Sequence, residues 1–211
     1  MRVKCETGGY DLFRRKDRQM SRRLASFAAF ILASAMFPGM VQAQTGTTSP
    51  YRVDYFDNAN TTGAPDATLR LSNTGAAGHT NLCADIFVFA ADEEISECCS
   101  CLETPNGLRK LSVNNNLTSS PFAGIYLTEG TIVIVAAATT GGACPVPVHI
   151  TSAPNAEIQA WATHIQDGFI MTEAPSEVSA LSSTEEKALA DQCGAIIATT
   201  EAPICSCGTG S

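Results

Sequence analysis

The sequence predicts a mainly β protein: a single disulfide-stabilised domain, an antiparallel β-sandwich-like pair of sheets with one helix near the C-terminus. Three observations carry this. Short apolar or alternating runs recur between clusters of Gly, Asn, Pro, Asp and Thr, the pattern of strands joined by turns. Eight cysteines lie beyond residue 43, an even number that fits paired sulfur in an oxidising compartment. Helix-capping signals occur around residues 181–194 alone. A small α+β fold is the alternative.

Tyr51–Phe56 reads as a first short strand, and 57–66 (DNANTTGAPD) as a loop dense in turn formers. Thr68–Ser72 alternates, with Leu69 and Leu71 on one face. Leu82–Ala90 (LCADIFVFA) is apolar on both parities except at Asp85, which predicts a central strand covered on both sides. Asp92, Glu93 and Glu94 end it, and Cys98-Cys99-Ser100-Cys101 follows. Pro105-Asn106-Gly107 is a turn, after which Leu108–Val113 alternates with Leu111 and Val113 inward. Thr131–Ala138 (TIVIVAAA) is a second strand buried on both faces, and Ile158–Gln166 is strand-like. Five to seven strands result. Ser182 with Glu185 three residues on makes a capping box. Leu189 and Cys193 then share a helix face, and Gly194 is placed to close the helix. That helix is expected across one end of the sandwich, tethered by Cys193.

Residues 1–43 read as a secretory signal peptide. Arg14, Arg15, Lys16, Arg18, Arg22 and Arg23 make a basic region, and Leu24–Met36 is an uncharged apolar run. Val41-Gln42-Ala43 offers small residues at the cleavage positions before Gln44. The apolar run is shorter than the roughly 20 residues a membrane-spanning helix needs. Met20 opens a more typical signal peptide and is a candidate start, with 1–19 an extended basic region. Residues 44–50 form a polar leader and 51–211 the domain. The CSCGTGS terminus carries no hydrophobic tail, so the expected location is secreted or periplasmic, with no membrane attachment after cleavage.

The whole chain carries a formal charge of −8. Most cations lie before residue 44; beyond it, five Lys/Arg stand against eighteen Asp/Glu, a net of −13. Such a surface repels phosphate backbones and excludes nucleic acid as a partner.

Cys83, Cys98, Cys99, Cys101, Cys144, Cys193, Cys205 and Cys207 are assigned to disulfides. Eight cysteines allow 105 pairings. Adjacent Cys98 and Cys99 rarely bond each other. In extended chain Cys99 and Cys101 point one way, as do Cys205 and Cys207, so a double bridge between the two segments is expected. Cys98-x-x-Cys101 also has redox spacing, and the two clusters could hold a metal. The oxidising compartment favours structural pairing over both.

The search for catalytic motifs is negative: GxSxG, HExxH, P-loop and GxGxxG are absent. His164, near Trp161 and Asp167, is the least ordinary of the three histidines, the others being His79 and His149. It is expected as a strand-end histidine hydrogen-bonded on the surface. Asp92, Glu93, Glu94 and Glu97 form one acidic group, and Asp54, Asp57, Asn58 and Asn60 another. Neither has EF-hand spacing, and solvated loops are the expectation for both. Asn60 and Asn116 open glycosylation sequons.

The segment from Cys83 to Leu111 (CADIFVFAADEEISECCSCLETPNGLRKL) and the terminal CSCG resemble a group of uncharacterised secreted, Cys-rich bacterial proteins. The shared pattern is a strand, an acidic turn, CCxC and TPNGL. The resemblance covers about half of the chain after residue 43 and implies secretion and one domain, with no activity attached.

No residue is assigned a catalytic, cofactor-binding or metal-binding role. The expected function is an exported, non-catalytic interaction or adhesion domain whose partner is an extracellular protein or a glycan. The alternatives are a carboxylate-dependent extracellular hydrolase using His164, Asp167 or the 92–97 cluster, and a calcium- or carbohydrate-binding module.

Overall fold

A computed structural model describes residues 49–208, apart from 77, 79, 147, 149–157, 168, 200, 201 and 203. The signal-peptide segment, Cys5, His79 and His149 lie outside the described residues. Among the described residues, nine strands form two antiparallel sheets: β1 (Ser49–Phe56), β2 (Thr68–Asn73), β3 (Leu82–Ala90), β4 (Ile95–Glu103), β5 (Leu108–Ser112), β6 (Gly130–Ala138), β7 (Ile158–Gln166), β8 (Ile170–Pro175) and β9 (Glu177–Leu181). The five-stranded sheet runs β4-β3-β6-β1-β9 and the four-stranded sheet β5-β2-β7-β8. The sandwich and its C-terminal helix are therefore present, with more strands than the five to seven expected. β1 begins at Ser49, inside the segment read as leader.

The main core fills the space between the sheets. Alternation places Leu69 and Leu71 of β2, Ala84, Ile86 and Val88 of β3, Ile132 and Ile134 of β6, and Ala160 and Ala162 of β7 in it, as a period of two requires. β3 is central and buried on both faces, as expected. Its other face, with Phe87, joins Val135, Cys98, Leu181 and Cys193 in a second apolar cluster.

That second cluster lies under α1 (Ser183–Ile197). Ser182 and Glu185 form the reciprocal capping box. Glu185 N–H donates to the Ser182 hydroxyl at 3.3 Å, and the Ser182 N–H to Glu185 Oε2 at 2.7 Å. The Ser182 N–H and hydroxyl both donate to the Glu185 carboxylate and lower its pKa. Two expectations need correcting. α1 covers the outer face of the five-stranded sheet, packing on β4 and β9, because Leu189, Cys193, Ile196 and Ile197 give it an apolar stripe matching that face. It also runs past Gly194 to Ile197: contacts of Ile196 and Ile197 outweigh the small helix penalty of one glycine.

Four disulfides are present: Cys83–Cys144, Cys98–Cys193, Cys99–Cys205 and Cys101–Cys207. The double bridge follows the parity argument. Cys99 and Cys101 face the main core, whereas Cys98 faces α1. Neighbouring residues on a strand point to opposite sides, so the adjacent cysteines hold different elements.

The tail after α1 lies along the outer edge of β4, with Ile204 opposite Cys98 in a parallel bridge and Cys205 N–H donating to Cys98 O at 3.3 Å. Arg109 of β5 ties the same region together. Its guanidinium bonds Glu103 and donates to Cys207 O and, at 2.7 Å, to Leu102 O. Ser206 N–H donates to Asn116 O at 2.8 Å. The β4–β5 side of the sandwich is thus sealed by two covalent bonds and an arginine clamp.

Candidate functional site

The opposite side is built differently. β8 and β9 are consecutive, separated only by Ser176, yet each is the edge strand of a different sheet. The chain crosses between sheets there, and Ser176 N–H donates to Ala160 O at 3.0 Å. Both free strand edges therefore come to the same side. Ile170, Met171 and Val178 (58% exposed) project from them, and Phe169 (76%) stands in the turn just before β8.

Between the two edges lies a cleft of about 450 Å³. Its floor comes from β1 and β7, which face each other across the seam. Arg52, Asp54 and Phe56 share one parity on β1; Phe56 fills the core, while Arg52 Nε donates to Ile158 O at 3.0 Å. Asp54, between them, is buried. Its Oδ1 lies 3.2 Å from His164 Nε2 and accepts the Tyr55 N–H at 2.8 Å, and its Oδ2 accepts the Ser176 hydroxyl at 2.8 Å. Two hydrogen-bond donors and the facing imidazole meet the requirement that a buried carboxylate be partnered. The Tyr55 ring stacks on His164 with centroids 4.0 Å apart.

His164 is therefore buried, against the expectation of a surface histidine. Its partner is Asp54, far away in sequence, and not Asp167, which sits beyond the end of β7 with positive φ. His164 Nδ1 is buried and has no hydrogen-bond partner.

Chemically the cluster is not a nucleophile triad. In that arrangement the imidazole stands between hydroxyl and carboxylate. Here Asp54 occupies the middle position and accepts the Ser176 hydroxyl, while the imidazole faces the carboxylate and not the hydroxyl.

The other candidates do not converge. Asp92, Glu93 and Glu94 are exposed in the β3–β4 turn, whereas Glu97 points inward and accepts Ser120 N–H at 2.8 Å. Burial raises the Glu97 pKa to about 8, against the lowering effect of that bond. Asp57 accepts the Asn58 N–H at 2.6 Å. Asn58 donates to Ile165 O at 3.0 Å, and Asn60 to Thr118 Oγ1 at 3.0 Å and Leu127 O at 2.9 Å. These side chains are spent on loop structure. Asn116 Oδ1 likewise accepts the Ser112 N–H at 2.8 Å.

Cys99, Cys101 and Cys207 bring their sulfurs within 4.8 Å of one another, a metal-like cluster. Each is already bonded to sulfur, and a disulfide is not the thiolate that binds metal.

The sequence reading missed Asp54 as the His164 partner and missed the buried carboxylates of Asp85, Glu103 and Glu186. Asp85 accepts the Ser100 hydroxyl, and burial raises its pKa to about 6 despite that bond. Burial also raises Glu103, opposed by Arg109. Only Asp85 left a sequence signal, as the sole polar residue in its strand.

The four disulfides match an oxidising environment, and no helix among the described residues is long and apolar enough to cross a membrane. No protein-family model matches the chain, and neither curated proteins nor solved structures yield a match.

Proposed function

We propose that this is an exported, non-catalytic interaction module that takes an extended segment of a protein partner along its β8–β9 side. The supporting observation is the asymmetry of the sandwich. One side is sealed by the Cys99–Cys205 and Cys101–Cys207 bonds and by Arg109. The other leaves two strand edges side by side with Phe169, Ile170, Met171 and Val178 exposed. Free edges are ordinarily blunted by charge, proline or a covering segment. Here Glu173, Pro175 and Glu177 stand on the edges beside Ile170, Met171 and Val178; the backbone left unpaired there is a template for strand addition, in which backbone bonds give affinity and alternate side chains give selectivity. Export follows from the signal-peptide reading of residues 1–43.

The test is a random peptide library panned on the oxidised chain, followed by amide hydrogen exchange of each complex. Selected peptides are expected to slow exchange in residues 170–175 or 177–181. The double variant Met171→Lys, Val178→Lys changes two exposed positions and should abolish binding while leaving the melting temperature in place. Protection of a different surface, or undiminished binding by the double variant, would overturn the proposal.

A further inference from the structure

We infer that the double bridge holding the tail is a thiol-operated latch: Cys207 carries reduction from the surface to the buried Cys99–Cys205 bond, and opening both bonds frees the tail from β4. This goes beyond the interaction-module reading and does not depend on it. The two bonds differ in access. Cys99, Cys205 and Cys101 are buried, whereas Cys207 is half-buried. A thiol arriving from solvent therefore meets the Cys101–Cys207 bond first, at Cys207 Sγ, since exchange depends on access to the attacked sulfur.

The second observation is how close the sulfurs of the two bonds lie. The Sγ atoms of Cys99, Cys101 and Cys207 are all within 4.8 Å of one another. Cys207 Sγ also lies 3.5 Å from the carbonyl oxygen of Ser100, the residue between Cys99 and Cys101. A small movement of the tail thus carries Cys207 from its own mate to Cys99. Cys101 lacks that freedom. Residues two apart on a strand keep their Cβ atoms about 6.6 Å apart, and a disulfide needs about 3.5–4.5 Å.

The steps balance. One thiolate of an external dithiol attacks Cys207 Sγ; the Cys101–Cys207 bond breaks and Cys101 leaves as thiolate. The second thiol of the reagent attacks its own partner sulfur in the mixed disulfide, closes the reagent to a disulfide and releases Cys207 as thiolate. Cys207 then attacks Cys99 Sγ; the Cys99–Cys207 bond forms as Cys99–Cys205 breaks, and Cys205 leaves as thiolate and takes a proton from water. The remaining bond now ends at half-buried Cys207, where a second dithiol opens it in the same way. Two dithiols are oxidised and two disulfides become four thiols. The tail is then held by hydrogen bonds, such as Cys205 N–H to Cys98 O at 3.3 Å and Ser206 N–H to Asn116 O at 2.8 Å. Among its described residues only Cys205 is buried. Its release bares the outer edge of β4, the end strand of the five-stranded sheet.

The test is a time course of the oxidised chain with dithiothreitol, quenched with acid to map bonds and with N-ethylmaleimide to map thiols, both read by mass spectrometry. Cys101 and Cys207 are expected free first, then Cys205, with Cys99 last and a transient Cys99–Cys207 species. Amides 204–206 should lose protection from hydrogen exchange once all four thiols are free. Cys101→Ser and Cys207→Ser each lose the outer bond and differ only in which thiol remains. With Cys207 remaining, Cys205 should be freed about tenfold or more faster than in Cys207→Ser, the advantage of an attacking group tethered nearby. Equal rates in the two variants, a wild-type course without the Cys99–Cys207 species, opening of Cys99–Cys205 before Cys101–Cys207, or full reduction with 204–206 still protected would overturn the inference. The wild-type course decides the matter even where a variant fails to fold.

Discussion

Gly130 begins β6 where no side chain fits. A Cβ there would stand 2.1 Å from the Phe89 carbonyl oxygen and 2.8 Å from Phe56 Cζ. The neighbour in closest approach is backbone on the paired strand β3, so relief requires moving the sheet. Gly130→Ala should therefore destabilise by about 3 kcal/mol, the upper part of the range for overpacking, measured by urea denaturation; an unchanged midpoint would contradict this packing. At the same scale the sequence was legible for apolar residues and opaque for polar ones. Leu69, Leu71, Leu111 and Val113 point inward as their alternation predicts. The Asp54–His164 pair was not readable, because it depends on how β1 faces β7 across two sheets, and strand alternation within one segment carries no information about which distant strand lies opposite. Trp161, the neighbour that drew notice to His164, pairs across the strand with Arg70 instead.

Elements were legible in proportion to how much of their surface is buried. β3 and β7 have the bounds expected from their apolar runs. β4 was unread as a strand because between Ile95 and Leu102 it holds only Ser, Glu and Cys, and its three cysteines are buried as disulfides. β8 and β9 were missed for the opposite reason: they are largely exposed, so no buried face imposes alternation. The helix start was legible because its cap is local chemistry. Ser182→Ala removes the hydroxyl that accepts Glu185 N–H and should cost about 1 kcal/mol. The drop is expected in thermal unfolding of the oxidised protein, with the Cys98–Cys193 bond intact. No loss of stability would mean that the bond alone fixes the first turn.

At the scale of the molecule, the buried carboxylates set the response to pH. Glu97, raised from 4.5 to about 8, and Asp85, raised from 3.8 to about 6, both hold their proton more tightly folded than unfolded. Between those values the folded state binds more protons, so stability declines as pH rises. The contribution of Asp85 is lost between about pH 4 and 6 and that of Glu97 between about pH 4.5 and 8. The protein should melt at a higher temperature at pH 5 than at pH 8. Glu97→Gln keeps an oxygen for the Ser120 N–H and cannot ionise, so its melting temperature should fall less over the same interval. A melting temperature that rises from pH 5 to pH 8, or an equal fall in the variant, would refute this assignment.

Three of the four cross-links join β4 to residues 193, 205 and 207. A chain emerging N-terminus first presents Cys98, Cys99 and Cys101 long before their mates exist outside the ribosome or translocation pore. Their thiols must wait, unpaired or in transient wrong unions, until residues 193, 205 and 207 arrive. Covalent completion of this domain thus waits for residues 193–207, and a nascent chain interrupted before residue 193 holds mates for Cys83 alone.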